Sequence, residues 1–365
     1  MVEKLSDNKV TLKEQMKKFV IKGLLGFQTV NVYIMGRSLG IWDYLTQKVK
    51  NQVPAGGQEL IVSFTLAELV DNLHLSRPHV DGWIHMGLVC GLFELEEGAA
   101  QCVKTAPYIF DFLINKESPF YYGTIMMMYS NIAPVSDLVL ASFRTGKLIS
   151  WSEIPEVMLK EGTEMSAFSG RRTEELFSRK FREFGRKLKQ GGAILEVGCG
   201  FGVHFAYWAK KYKNCRFVGI DTDSRAVTCT QEIINQNQWA GRVEALNTTT
   251  ADYLKANPMS FDLIILNEVL HEMNPDEHYR QQMFANLHAL LTSGGLMIVT
   301  DSMISDTFAP TRERQTFEVM HKFLESAFGS RFYDEAGFQR LIASTPFANA
   351  ELVREGSAYF WVLNK

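Results

Sequence analysis

Cysteine is scarce in this 365-residue chain and never closely paired: Cys90, Cys102, Cys199, Cys215 and Cys229 contain no CxxC spacing. That argues against a disulfide framework or a cysteine-built zinc site and suits a reducing compartment, the cytoplasm. An excess of one charge is missing too. The 38 Lys and Arg against 41 Asp and Glu leave a net charge of −3, so no general pull toward nucleic acid or an anionic membrane is expected. No run of eighteen apolar residues occurs, and the opening MVEKLSDNKVTLKEQMKK has no apolar core. Neither a membrane span nor a signal peptide is expected. Internal repeats and low-complexity tracts are also lacking. What is present is an ordinary globular composition, 46% hydrophobic, at a length that suggests two domains.

The first half reads as mainly helical. Phe19, Leu24, Phe27, Val30, Ile34, Leu39 and Trp42 recur at helical spacing over residues 12–45. Val53-Pro54-Ala55-Gly56-Gly57 is a loop by its Pro and Gly content. Thr65 and Glu68 form a capping box ahead of a helix over 66–73. A turn at 75–78 leads to a second helix from about His79 to Cys90, and residues 93–96 and 101–103 suggest a short hairpin around Gly98. Helix, turn, helix, hairpin is the outline of a winged helix, which raises DNA binding. The second helix, read from His79, carries no Lys or Arg, and Asp81, Glu94, Glu96 and Glu97 add negative charge. Phosphate contacts need cations on that face, so a DNA-binding regulator is disfavoured. Residues 119–132, PFYYGTIMMMYSNI, read first as core packing and second as an adaptable wall for a flat organic acceptor. A helix over Thr173–Leu188 is expected to link the domains, placing the boundary at 185/186.

The most informative stretch is Ala193–Gly202, AILEVGCGFG. An apolar run ends in Glu196. Gly198, Gly200 and Gly202 follow at alternate positions, and a helical pattern starts near Val203. This predicts strand, glycine turn, helix, a place where backbone N–H groups and a helix N-terminus meet a ligand. Spacing of i, i+2, i+4 does not match the dinucleotide fingerprint. Downstream, strands are expected at 193–197, 216–220, 243–246, 261–266, 296–300 and 358–363, alternating with helices, which argues a parallel sheet covered on both faces. Ligands of such sheets bind outside the carboxyl ends of the strands. Asp221 ends the second strand, where a carboxylate can accept ribose hydroxyl protons.

The loop resembles E/D-x-G-x-G-x-G, the nucleotide loop of class I S-adenosylmethionine-dependent methyltransferases. The segment LNEVLHEMNPDEHYRQQ resembles the "LHDW-x-D-E" motif of the small-molecule O-methyltransferases within that class. Leu39–Leu45, Thr65–Thr105 and Arg144–Lys147 resemble that family's N-terminal elements. The resemblance implies a Rossmann-like α/β domain over 186–365, with a mostly parallel seven-stranded sheet. It implies a mainly helical, winged-helix-like dimerisation and substrate-lining domain over 1–185. It further implies S-adenosyl-L-methionine as cofactor and a homodimer acting on a phenolic or other aromatic natural product in secondary metabolism, with no nucleic acid or membrane partner. Glu196, Gly198, Gly200, Gly202, Asp221, Thr222, Ala251, Asp252, Asn267 and Glu268 would hold the cofactor.

By the same resemblance His271 would be the general base and Asp301 the acid that orients it. Chemically, a neutral imidazole can accept the proton of a phenol near pH 7 as its oxygen attacks the methyl carbon. A pocket-lining His271 is the alternative, since Met273 and Glu272 replace the motif's Trp and Asp. A further acid is expected among Glu313, Glu318 and Glu325. N-, C- or S-methylation, or cofactor binding without methyl transfer, are the rival functions on this fold. A metal reading through His271, Glu272 and His278 lacks HExxH spacing, so no metal is expected.

Overall fold

The computed structural model describes residues 11–49, 60–98, 102–115, 118, 120–130, 135–163, 166–256, 259–304, 316–347, 350–355 and 358–365. The Pro54 loop and Glu313 lie outside them. The chain divides into two compact units, Met1–Ala133 and Pro134–Lys365.

In the first unit the core is aromatic. Trp42, Trp83, Phe64 and Phe93 pack together, with Trp42 and Trp83 ring centroids 5.6 Å apart. Each indole N–H donates to a carbonyl of one helix, Trp42 to Tyr33 and Trp83 to Val32, both at 2.9 Å. Gly36 makes this approach possible, because a Cβ there would lie 2.7 Å from Trp42 Nε1. Thr65 and Glu68 form the expected reciprocal cap of the helix Leu66–Leu73. The next helix, Arg77–Val89, begins two residues earlier than read from sequence, so it does carry one cation, Arg77. Strands β1 (Ser63–Thr65), β2 (Phe93–Leu95) and β3 (Cys102–Thr105) form an antiparallel sheet in the order β1-β3-β2.

The helical stretch Leu12–Ser38 departs from expectation. Phe19, Leu24 and Phe27 face solvent rather than a core, at 66%, 56% and 62% exposure. Although no eighteen-residue apolar run exists, this helix is long and apolar enough to cross a membrane by length and composition, with a mean hydropathy of 1.3.

The second unit is built on a seven-stranded sheet. Its strands are β4 (Gly192–Val197), β5 (Cys215–Asp221), β6 (Val243–Asn247), β7 (Phe261–Asn267), β8 (Leu291–Thr300), β9 (Glu351–Glu355) and β10 (Ala358–Asn364). The order is β6-β5-β4-β7-β8-β10-β9. Strands β4 to β8 pair in parallel, and β10 is inserted antiparallel to both β8 and β9. Alternate residues feed opposite faces. On β7, Ile264 and Leu266 join one core with Phe284, Leu287 and Phe338. Leu263 and Ile265 join the other with Phe205 and Trp208. Near-continuous apolar strands are what a sheet covered on both faces demands.

The expected linker helix is two helices, Ser166–Lys180 and Arg182–Gln190, broken at Phe181. They belong to the second unit. Phe177 is fully buried against Trp208, ring centroids 5.8 Å apart, and Leu188 and Leu176 join the same core. On the later helix Thr316–Glu325, Phe323 is 67% exposed and lies against Phe143. The Phe317 and Leu324 side chains lie outside the description. Phe177→Ala should cost about 3–5 kcal/mol and lower the melting temperature of the second unit. Calorimetry checks this, and an unchanged transition would show that the helix is not part of that core.

Candidate active site

The carboxyl ends of β4, β5, β6, β7 and β8 carry the predicted residues. After β4 the chain turns on three glycines, all in the left-handed region: φ is 71° at Gly198, 52° at Gly200 and 79° at Gly202. Only glycine adopts this repeatedly without strain. Space excludes other residues at two of them as well. A Cβ on Gly198 would stand 2.3 Å from Val269 Cγ2, and one on Gly202 would stand 2.7 Å from Thr230 Oγ1. The helix Val203–Lys211 then starts with its N-terminus at the loop.

Asp221, at the end of β5, accepts from the Gly200 N–H at 2.8 Å and from the Asp223 N–H at 2.9 Å. It therefore braces the glycine loop, and its carboxylate keeps lone pairs for further donors. Loss of solvation raises its pKa. Thr222 and Asp252 line one side of an open cleft of about 300 Å³ with Asn247, Thr248 and Thr249, a volume at the lower end for small-ligand sites. Asp252 is not the N-cap of its helix. Thr249 Oγ1 accepts from the Asp252 N–H at 3.1 Å and donates to its carboxylate at 2.8 Å, which leaves that exposed acid at the cleft edge. Ala251 is half-buried beside it in the helix Thr250–Ala256.

Glu196, near the end of β4, is held by a histidine of the following helix. It is buried and sits 2.9 Å from Nδ1 of His204, whose Nε2 accepts from the Trp208 indole at 3.2 Å. His204, given no role by sequence reading, fixes this acid.

At the end of β7, Asn267 is buried and its Oδ1 accepts from Thr300 Oγ1 at 2.8 Å. Glu268 then has a φ of 50°, a strained conformation for a residue with a side chain. His271 and Asp301 meet as the resemblance implies. His271 Nδ1 is 2.7 Å from Asp301 Oδ1, and the His271 backbone N–H donates to Asp301 Oδ2 at 2.9 Å. The ring stacks on Phe332 at 4.6 Å and 11°. Arg280, fully buried, holds the loop from behind by donating to the carbonyls of Met273, Asn274 and Arg331. His271 Nε2 is buried and has no hydrogen-bond partner among the described residues.

Charge is concentrated here. Burial disfavours an imidazolium, but the Asp301 carboxylate, with Glu272 and Glu325 beyond it, outweighs burial and pushes His271 up to about 10. Loss of solvation, with neighbouring acids adding, pushes Glu272 up to about 8 and Glu268 up to about 7. Both acids keep contact with solvent, so their loss of solvation is partial. Glu325 and Glu318 are raised by burial in the same way. His321 reaches the cluster from the helix Thr316–Glu325, and burial, then the charge on His271, pushes it down to about 4. Sequence reading assigned His321 no role, although its i, i+4 spacing with Glu325 was an available signal. His278 is exposed on the outer helix Glu277–Leu290, away from any such role.

The strand order and the single antiparallel insertion of β10, above a glycine loop at β4, decide the fold. The second unit has the class I methyltransferase fold. Residues 195–297 match the family model for a methyltransferase domain. Solved structures align over both units. A provisionally named O-methyltransferase of Nostoc punctiforme PCC 73102 is 15% identical, with a TM-score of 0.69 over 96% of this chain and 99% of that one. Human N-acetylserotonin methyltransferase, in complex with SAM, is 14% identical, with a TM-score of 0.64 over 96% and 98%. The tRNA1(Val) (adenine(37)-N6)-methyltransferase of Haemophilus influenzae strain PittGG is 32% identical over 75 residues, 20% of this chain and 32% of that protein. The chain thus spans about a third of the length of the curated relatives it matches.

Within this methyltransferase fold, stability should fall with rising pH. His271 holds its proton more tightly when folded, so its contribution is complete below 6.5 and is lost as pH rises through about 10. The raised Glu272 acts in the same direction between 4.5 and about 8. Thermal unfolding followed from acid to alkaline pH should show this decline, and Glu272→Gln should flatten the lower part of it. A curve rising through that range would contradict the cluster's electrostatics.

Proposed function

We propose that the chain is an S-adenosyl-L-methionine-dependent methyltransferase acting on a small molecule, most simply on the oxygen of a phenolic or other aromatic natural product. The observation that carries the reading is the His271–Asp301 pair at the ends of β7 and β8. Its outer nitrogen is buried and has no hydrogen-bond partner among the described residues, and Val269, two residues before the histidine, packs against the glycine loop. The site's residues suit the cofactor. The loop at Gly198–Gly202 offers backbone N–H groups and a helix N-terminus, and a Cβ on Gly200 would meet only Thr163 Cγ2, at 3.7 Å. Asp221, Thr222, Ala251 and Asp252 would hold the nucleoside, and Asn267 and Glu268 the methionine part. When bound, the cofactor supplies an electrophilic methyl group on a cationic sulfonium, which the acid-rich site favours.

The chain's own residues do the rest. Asp301 fixes the tautomer by accepting a hydrogen bond from Nδ1–H, which keeps that proton on the ring and leaves Nε2 to receive the proton lost by the acceptor hydroxyl. In the free protein the surrounding acids hold His271 as imidazolium, so base function requires that charge to be offset. Transfer should therefore climb with pH on a limb well above 6.5, and Glu272→Gln should move that limb downward. Beyond base catalysis, positioning and exclusion of water carry the in-line displacement.

The exposed apolar face of Leu12–Ser38 supports a homodimer formed through the winged-helix-like N-terminal unit, and the five unbridged cysteines support a reducing, cytoplasmic setting. The test is formation of S-adenosylhomocysteine by the purified chain with hydroxylated aromatic acceptors. His271→Ala should lower turnover roughly 10²–10⁴-fold with cofactor affinity, measured by calorimetry, little changed. Near-normal turnover would remove the base and favour an amine or activated-carbon acceptor. No product from any acceptor would remove methyl transfer.

A further inference from the structure

Two side chains beside His271 are assigned no proton-transfer step in the reaction above. His321 and Glu325 lie one turn apart on the helix Thr316–Glu325, with His321 Nε2 3.9 Å from Glu325 Oε1. The His321 ring meets the His271 ring edge-on at 4.6 Å. One donor atom from each of His271, His321 and Glu325 lies within 4.8 Å of the other two. His271 is 1% exposed, and its Nε2 is an orphaned buried nitrogen among the described residues. Glu272 Oε1 stands 3.8 Å from that nitrogen.

Two imidazoles and a carboxylate, with a second carboxylate in reach, form a borderline N/O donor set of the kind that suits Zn²⁺. The far side of His271 adds the supporting feature of such sites. Its Nδ1 rests on a carboxylate, Asp301, which fixes the ring and strengthens the other nitrogen as a ligand. Tetrahedral coordination at about 2.0–2.1 Å needs the three donors to draw closer than they stand. His321 and Glu325 have room for that, being 29% and 13% exposed against His271 at 1%.

We propose that His271 Nε2, His321 and Glu325 form a binding site for Zn²⁺ or a similar borderline divalent ion, with Glu272 as the nearest further ligand. The free protein holds His271 as imidazolium, so the ion displaces the Nε2 proton to solvent and occupies the lone pair that accepts the substrate proton, and it thereby inhibits methyl transfer. The site stands on its own geometry; only the inhibition rests on the reading of His271 as base.

The experiment is calorimetric titration of the chelator-treated full-length protein with Zn²⁺, with Mg²⁺ as the hard-ion control. Visible absorption with Co²⁺ in place of Zn²⁺ reads the coordination. One ion per chain is expected for Zn²⁺, with the strong visible bands of a four-coordinate Co²⁺ complex and no Mg²⁺ binding. His321→Ala and Glu325→Gln should each weaken Zn²⁺ at least about tenfold, and Asp301→Asn about 10–100-fold; far-UV circular dichroism and melting curves would establish that each variant is folded. Absence of stoichiometric Zn²⁺ binding by the wild-type chain would overturn the site, as would unchanged affinity in folded His321→Ala. Zn²⁺ bound through these residues without inhibition would overturn the base reading and leave the site. Loss of turnover in His271→Ala in a protein that binds no Zn²⁺ would do the reverse.

Discussion

Asp301 accepts three hydrogen bonds: from the His271 ring, from the His271 backbone N–H and from the Ser302 N–H at 2.7 Å. Two of these cross from the end of β7 to the end of β8, two adjacent parallel strands. Everything that follows β7 is referred to that acid. It sets the direction of the imidazole, and the backbone bond prevents the ring from pivoting about its own loop. A charge-assisted bond in so dry a place is stronger than a neutral one. The cost of a buried carboxylate is met by three donors at once. Arg280 completes the brace from the opposite side, with three donors on the carbonyls that flank the loop.

The glycine loop and this pair are one construction. Val269, two residues before His271, packs where a Cβ of Gly198 would otherwise stand. A side chain at 198 would displace the segment that carries the histidine, so the glycine loop and the histidine loop are fixed against each other. The electrostatics follow the same geometry. Glu268, Glu272, Asp301, Glu318 and Glu325 surround two histidines, and the protein around them raises the proton affinity of four of the acids. A site so rich in incompletely solvated carboxylates is matched to positive charge, whether a sulfonium, a proton on His271 or a divalent ion.

Much of this was legible in the chain because it is local. Thr65 and Glu68 announce their helix three residues apart, the strands announce themselves as apolar runs, and three alternating glycines require a turn with positive φ. The resemblance implies that Asp301 orients His271, and the strand end that carries each of them is readable. What escaped is what depends on distant segments meeting. Nothing near Phe19 or Phe27 says that their faces lack a covering partner within the unit. Glu196 is readable by its position on β4, but its contact with His204 from the next helix is not. The helices at 166–190 looked like a linker because their surface is charged, yet Phe177 is buried against Trp208. His321 comes to His271 from fifty residues away in sequence, on a helix whose apolar stripe hid it.

The account turns on the state of one ring. The direct measurement is a ¹⁵N NMR pH titration of the His271 imidazole in the wild-type chain and in Asp301→Asn. The structure predicts a proton held on Nδ1 and a titration midpoint far above 6.5, toward 10, that falls markedly when Asp301 loses its charge. A midpoint near 6.5 that ignores the Asp301 substitution would contradict it.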